Sequence, residues 1–82
     1  MCYAYSLHEW AVLALVGFDN SERRELLDVC EALTRSPNQC GAEQVIDEAG
    51  RTNEVIYTAH FRVTYWTDHA AKEVRIMDVR RF

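Results

Sequence analysis

The sequence predicts an α+β domain of two layers, in which two helices pack on one face of an antiparallel sheet. Residues 61–67 and 73–79 alternate apolar and polar side chains, which is the period-two pattern of strands. Two segments in the first half repeat apolar residues at helical spacing. The predicted order is therefore an N-terminal strand, an antiparallel helical hairpin and a meander of three or four strands, all in one domain over 1–82.

The first strand is predicted over Cys2–Ser6, where Tyr3 and Tyr5 would share one face. Ser6 and Glu9 have the spacing of a capping box, which predicts that Ser6 starts the first helix. The residues expected on the buried face of this helix are Leu7, Trp10, Ala11, Ala14, Leu15 and Phe18.

The second helix is predicted over Ser21–Arg35. Asp19 and Glu22 repeat the capping-box spacing at its start, and Pro37 ends it because proline lacks the backbone N–H. The turn between the helices has only a few residues, so they are expected to run roughly antiparallel. The residues expected on the buried face are Leu26, Leu27, Cys30, Leu33 and Thr34.

The meander begins with a short strand over Glu43–Asp47 and continues with a strand over Thr52–Thr58. Gly50 lies in the turn between them, where a positive φ is allowed. In the last two strands, Asp78 falls on the side that the neighbouring residues make apolar, which predicts a bulge or the strand end there. The residues expected to face the core are Phe61, Val63, Tyr65, Val74 and Ile76.

Composition limits the class of protein. Hydrophobic residues make up 49% of the chain and charged residues 27%, which is typical of a globular domain. No apolar run approaches the roughly 20 residues of a membrane span, so we expect a cytoplasmic protein without membrane contact. The three cysteines, Cys2, Cys30 and Cys40, lack the spacing of a zinc site.

Charge is distributed unevenly along the chain. The net charge is -4, which disfavours a protein that simply coats nucleic acid. Residues 60–82 carry five basic and three acidic side chains, however, and arginine outnumbers lysine eight to one over the whole chain. Arginine can grip a phosphate through two N–H groups at once. An equally simple interpretation is that the arginines form exposed ion pairs with Glu54, Glu73 and Asp78.

The ordered set of motifs resembles the RelE/ParE superfamily, the toxins of bacterial type II toxin–antitoxin pairs. The resemblance covers nearly the whole chain. It depends on five segments, namely Tyr3–Tyr5, Thr34-Arg35-Ser36-Pro37, Phe61-Arg62-Val63-Thr64-Tyr65, Lys72-Glu73-Val74-Arg75-Ile76 and Val79-Arg80-Arg81.

The resemblance implies a ribosome-dependent endoribonuclease, in which the 2′-hydroxyl of the messenger RNA attacks the adjacent phosphate. Arg62 then matches the residue that holds the scissile phosphate, and Arg80 or Arg81 matches the C-terminal base beside it. His60 is a candidate general base, and His69 is a second one. Arg62, Arg75 and Arg81 are expected on one exposed face, and the further RNA contacts are assigned to Arg51, Lys72 and Arg75.

The chain also departs from the ribonuclease pattern. It ends at Phe82, where many ribonuclease members have a Tyr or His a few residues beyond the basic pair, and its overall charge is acidic. Two alternatives therefore stay open: a ParE-like inhibitor of DNA gyrase, which needs no general base, and a non-toxic interaction domain. The expected partners are a cognate antitoxin and either the ribosome with mRNA or DNA gyrase. No metal or cofactor is implied.

Overall fold

The computed structural model describes residues 3–82, which form two helices and a five-stranded sheet. The α+β class and the element order predicted from the sequence are confirmed. The part of the first-strand prediction that concerns Cys2 lies outside the described residues. The elements are β1 Ala4–Leu7, α1 Glu9–Val16, α2 Asn20–Arg35, β2 Glu43–Ile46, β3 Thr52–Tyr57, β4 Phe61–Asp68 and β5 Glu73–Arg81.

The sheet has the strand order β1-β5-β4-β3-β2. Strands β2 to β5 form the antiparallel meander that the sequence predicts. Strand β1 joins this meander in parallel beside β5, with Tyr5 opposite Val74 and Leu7 opposite Ile76. The first and last strands of the chain are therefore neighbours, and both helices lie in the connection between β1 and the meander.

Helix α1 begins later than the sequence predicts. His8 is its N-cap, and the Nδ1 atom of His8 accepts from the backbone N–H of Trp10 at 3.3 Å. The predicted Ser6 cap is wrong because Ser6 belongs to β1, where its hydroxyl donates to Glu73 at 2.9 Å. The backbone N–H of His8 donates to the Ile76 carbonyl at 2.8 Å, so pairing with β5 holds the chain extended until that residue.

Only a narrow side of α1 meets the core. Ala11 is fully buried and Phe18, just beyond the helix, is nearly so, but Trp10 is 63% exposed. The prediction that Trp10 faces the core is therefore wrong. Ala14 and Leu15 are partly buried against the core. The helix has eight residues and packs mainly against β5, and its other large apolar side chains, Val12, Leu13 and Val16, are exposed.

Helix α2 carries the capping box that the sequence predicts. The Asp19 carboxylate accepts from the Glu22 N–H at 2.8 Å, and the Glu22 carboxylate accepts from the Asp19 N–H at 2.9 Å. Its buried face differs from the expected one at Leu27, which is 37% exposed. The core is formed by Ala11, Phe18, Leu26, Cys30, Leu33, Phe61, Val63, Tyr65, Val74, Ile76 and Val79.

A bulge in β5 decides which side chains face the helices. Thr64 pairs with Asp78 but Tyr65 pairs with Ile76, so Met77 is an extra residue on β5. The irregularity expected at Asp78 is therefore confirmed. Since a shift of one residue exchanges the two faces of a strand, Asp78 is turned away from the helix face, where it would have been buried among apolar side chains.

Candidate functional site on the open face of the sheet

The sheet face opposite the helices, here called the open face, contains a groove of about 550 Å³. Strands β2 to β5 provide most of its walls, and α1 contributes Trp10 at one side. The residues that line this open-face groove are Trp10, Val45, Asp47, Asn53, Arg62, Thr64, Met77, Asp78 and Arg80.

Arg62 and Arg80 are direct cross-strand partners in this groove. Partners of this kind project from the same face of a sheet. The Nε atom of Arg80 lies 2.8 Å from an Asp78 carboxylate oxygen, and this hydrogen bond raises the pKa of Arg80. Within residues 3–82 no carboxylate lies within ion-pair distance of Arg62. Arg62 is therefore the cation of the groove that can receive an anionic ligand directly.

The carboxylates around Arg62 are engaged by donors of the protein. The Asp47 side chain accepts from the N–H groups of Ala49 and Arg51 and from the Asn53 amide, and its pKa is lowered, chiefly by the Arg51 N–H. Glu43 accepts a hydrogen bond from the Tyr57 hydroxyl, which raises the pKa of Tyr57. These acids therefore already have hydrogen-bond partners of their own.

Asn53 is a buried polar residue in the groove, with 2% of its surface exposed. Its amide nitrogen donates to Asp47 at 3.1 Å, whereas its Oδ1 atom has no hydrogen-bond partner within residues 3–82. Asn53 is not among the site residues predicted from the sequence. The only available signal is a short amide side chain in the interior of a strand, a position that asparagine seldom occupies.

A pair of exposed aromatic rings lies next to Arg62. The rings of Tyr57 and Phe82 stack with a centroid distance of 5.8 Å and an interplanar angle of 14°. Tyr57 is the cross-strand partner of Arg62 on β3. The aromatic pair thus lies at one end of a row across neighbouring strands that continues with Arg62 and Arg80.

Arg81 and His60 lie on the side of the helices. The guanidinium of Arg81 is 2.9 Å from Glu22 and stands 5.2 Å from the Phe18 ring centroid. His60 Nδ1 is 2.7 Å from the Glu25 carboxylate, which raises the pKa of His60. The expectation that Arg81 shares a face with Arg62 is therefore wrong, and His60 is directed toward α2.

The other predicted RNA contacts form a separate group farther along β4. Arg51 lies 4.0 Å and Arg75 5.3 Å from the Trp66 ring centroid, about 13 Å along the strand from Arg62 at the usual rise per residue. Arg75 also pairs with Asp68 and Glu73, both at 3.3 Å, which supports the interpretation of some arginines as surface ion pairs.

The turn between β4 and β5 holds the remaining candidates. Lys72 has a positive φ of 54° at the end of this turn. His69 Nδ1 lies 2.8 Å from the Tyr3 hydroxyl. Neither residue lines the open-face groove.

No group of three His, Cys, Asp or Glu side chains within residues 3–82 is arranged to hold a metal ion. None of the helices in the described part is long and apolar enough to cross a membrane. Cys30 is buried, which raises the pKa of its thiol to about 11, whereas Cys40 is exposed.

Comparison with solved structures gives a match over the full length. The structure superposes on a chain in the crystal structure of the toxin–antitoxin complex RelBE2 from Mycobacterium tuberculosis with a TM-score of 0.82, covering 100% of both chains at 17% sequence identity. This chain has the RelE fold. No protein-family model matches the sequence, and no curated protein matches it.

The sequence left open whether Arg80 or Arg81 lies beside Arg62. In this RelE fold it is Arg80. The bulge at Met77 is responsible, because it sets the faces of the residues that follow. Trp10 is another groove residue that was not predicted from the sequence, since its helical spacing resembles that of a core residue. No local signal separates an apolar residue that faces the core from one that borders a groove.

Proposed function

We propose that this chain is the toxin component of a bacterial type II toxin–antitoxin pair, acting in the cytoplasm and neutralised by a cognate antitoxin. The observation that supports the proposal most strongly is the full-length similarity, with a TM-score of 0.82, to a chain of a toxin–antitoxin complex. The similarity extends over both helices and the whole sheet.

The proposed reaction is ribosome-dependent cleavage of mRNA centred on Arg62 and Arg80. The 2′-hydroxyl oxygen attacks the adjacent phosphorus, the bond to the 5′-oxygen of the next nucleotide breaks, and a 2′,3′-cyclic phosphate forms. Negative charge accumulates on the phosphorane in the transition state, and two guanidinium groups on neighbouring strands can stabilise it. Arg62 supports this role because it lacks a carboxylate partner within the described residues.

The proton of the attacking 2′-hydroxyl needs an acceptor in the groove. His60 is unsuited to this role because Glu25 holds it on the side of the helices. Asp78 lines the groove 2.8 Å from Arg80, so we assign it as the acceptor. The leaving 5′-oxygen takes its proton from water or from the ribosome.

An antitoxin would cover apolar surface that the fold leaves in solvent. Leu13 and Val16 on α1 are among the most exposed large apolar side chains, and Ile46 on the edge strand β2 is also exposed. A partner helix can pack on such a helix face, and an extended segment can pair with an open strand edge. Both surfaces are therefore proposed as contacts of the antitoxin.

A second candidate is a ParE-like inhibitor of DNA gyrase. Asp47 and Asp78 line the groove beside the two arginines, and the chain carries a net charge of -4. Both features disfavour RNA relative to a protein target. Inhibition through protein contacts also needs no proton acceptor.

The test is growth of a bacterial culture after tightly induced expression, with protein and DNA synthesis followed by label uptake. The variants are Arg62→Ala, Arg80→Ala and Asp78→Asn. Arg81→Ala tests the opposite face, and Arg24→Ala, an exposed arginine on α2, is the control for lost charge. We expect arrest by the wild type with protein synthesis lost first, and about a 10²–10³-fold loss of cleavage when Arg62 is removed.

The two control variants, and the order in which protein and DNA synthesis fail, decide between the ribonuclease and the gyrase inhibitor. Arg81→Ala and Arg24→Ala should arrest growth as the wild type does. Arrest in which DNA synthesis fails first would favour the gyrase inhibitor. Normal growth with soluble, folded wild-type protein would overturn both toxin proposals in that host.

A further inference from the structure

Arg62 stands beside a hydroxyl group rather than a carboxylate. Its cross-strand partner on β3 is Tyr57, which projects from the same face of the sheet. The Arg62 guanidinium donates a hydrogen bond to the Tyr57 hydroxyl, and no carboxylate lies within ion-pair distance of Arg62 in the part of the chain that the structure describes. The neighbour that can fix this guanidinium is therefore a neutral acceptor.

Glu43 on β2 decides how the Tyr57 hydroxyl is oriented. A tyrosine hydroxyl is both a donor and an acceptor, and its one proton is donated to the Glu43 carboxylate. Its oxygen lone pairs are then left for the guanidinium of Arg62, which can only donate. The hydrogen bond to Glu43 is the main cause of the raised pKa of Tyr57, and the one from Arg62 opposes it. The hydroxyl therefore keeps its proton at neutral pH and serves Arg62 as an acceptor.

The ring of Tyr57 is held by a second contact. Phe82 stacks on it with a centroid distance of 5.8 Å and an interplanar angle of 14°, and the backbone N–H of Phe82 donates to the His60 carbonyl at 3.1 Å. Tyr57 is 47% exposed, so without such contacts its side chain would be free to exchange rotamers. The stack and the bond to Glu43 together keep the hydroxyl in one place beside Arg62.

A neutral acceptor suits a cation that has to stabilise developing charge. A carboxylate on Arg62 would offset part of the positive charge that the phosphorane needs, whereas a hydroxyl orients the guanidinium and leaves its charge available. Tyr57 and Glu43 do not line the open-face groove, so a ligand in the groove would contact Arg62 and not these two residues. Their effect on the reaction would pass through Arg62.

We propose that Tyr57 and Glu43 are positioning residues for Arg62, in which Glu43 orients the Tyr57 hydroxyl and the hydroxyl holds the Arg62 guanidinium in place beside the groove. This inference rests on the proposed ribonuclease function and adds to it two residues that do not touch the RNA. Because Glu43 acts through the hydroxyl, its loss should matter only while that hydroxyl is present.

Cleavage of mRNA on ribosomes measures the effect on the reaction. Tyr57→Phe removes the hydroxyl and keeps the ring stack, so we expect kcat to fall about 3- to 30-fold with KM nearly unchanged, as for an interaction that acts in the transition state. Glu43→Ala should lower kcat by a similar or smaller factor, and it should have no further effect in a Tyr57→Phe background. Glu43→Gln, whose amide oxygen can still accept from Tyr57, should restore most of the activity.

Tyr3→Phe and Glu48→Ala are the matched controls for a lost hydroxyl and a lost acid. The Tyr3 hydroxyl is hydrogen-bonded to His69, far along the sequence from Tyr57, and Glu48 is an exposed acid between β2 and β3. Neither residue lines the groove. Both variants should cleave as the wild type does.

Nuclear magnetic resonance of the free protein tests the positioning without any reaction. The Nε–Hε signal of Arg62, assigned by its absence in Arg62→Ala, should show restricted motion in the wild type and faster motion in Tyr57→Phe and Glu43→Ala. Glu43→Ala should also lower the pKa of Tyr57, measured from its ring carbon shifts, because the carboxylate that raises this pKa is gone.

An unchanged kcat in Tyr57→Phe, with an active wild type, would overturn the positioning role, and so would additive losses in the double variant. If the wild type cleaves no mRNA, the proposed ribonuclease function fails, and the motion of the Arg62 signal then decides alone. A signal equally mobile in the wild type and in Tyr57→Phe would contradict the positioning role, whereas a signal that loosens only in the variants would support it.

Discussion

Arg80 and Arg81 are identical neighbours with opposite surroundings. Arg80 projects into the open-face groove beside Asp78, whereas Arg81 reaches across the other face of the sheet to Glu22. The two guanidinium groups are therefore available to different partners, although no property of either residue alone distinguishes them. The residue type determines which interactions the side chain can make, and its position on the sheet determines which partner it contacts.

His60 and Glu25 form a pair whose strength depends on pH. Glu25 raises the pKa of His60 above its ordinary 6.5, so the stabilisation from protonated His60 is complete below 6.5 and is lost as pH rises through the raised value. His60 lowers the pKa of Glu25 below 4.5, so the contribution of Glu25 is present above 4.5 and is lost as pH falls through the lowered value. The pair is therefore most stabilising between 4.5 and 6.5.

We predict that His60→Gln lowers the melting temperature most near pH 5.5 and progressively less as His60 loses its proton at higher pH. Thermal unfolding of the wild type and the variant across this range measures the difference. In a Glu25→Gln background the substitution should have no such pH dependence. A difference that stays constant up to pH 9 would show that the ion pair does not contribute.

The β2–β3 hairpin illustrates how an element depends on one residue. Gly41 precedes β2, and its backbone lies so close to β3 that an added Cβ atom would be 2.6 Å from the Val55 carbonyl oxygen and 2.9 Å from the Val55 nitrogen. The N–H of Gly41 also donates to Glu54 at 2.8 Å. Since β3 carries Asn53 into the groove, this close approach helps to position the site.

We predict that Gly41→Ala destabilises the fold by about 1–3 kcal/mol, because backbone atoms on a paired strand cannot move aside easily. Gly17→Ala is the matched control, since its φ is -85° and its nearest neighbour would be 3.7 Å away. The control should change stability by no more than about 1 kcal/mol. Urea unfolding measures both variants, and equal effects would contradict the steric explanation.

The whole molecule depends on a single core between the helices and the sheet. A domain of 82 residues has a stability on the order of 4–12 kcal/mol, so one large core side chain is a substantial part of it. Phe18 and Phe61 stack within this core at a centroid distance of 4.9 Å. The open face, in contrast, has no covering layer within residues 3–82, which leaves its groove accessible to a ligand.

Leu26 and Leu27 are adjacent on α2 and provide a test of this arrangement. Leu26 is fully buried and Leu27 is 37% exposed. We predict that Leu26→Ala costs about 2–5 kcal/mol, whereas Leu27→Ala costs about 1 kcal/mol or less. Chemical denaturation of the two variants measures the difference. Similar losses would place Leu27 in the core as the sequence suggests.

The sequence by itself determined the fold class and several local features: the Asp19 cap of α2, the turn at Gly50, the buried side of β4 and an irregularity near Asp78. These features depend on residues close together in the chain, where hydrogen-bond geometry and hydrophobic period are strong constraints. The presence of Arg62 on the polar side of its strand follows from the same alternation.

Only the tertiary structure decided that His8 rather than Ser6 caps α1, that Trp10 borders the groove, that Arg80 rather than Arg81 accompanies Arg62, and that Glu25 holds His60 away from them. Each depends on a partner far away in the sequence: β5 for the start of α1, the register of β4 for the terminal arginines, and α2 for His60. A single extra residue at the bulge exchanges the faces of a strand, so contacts across strands and layers, rather than the local pattern, select the residues of the site.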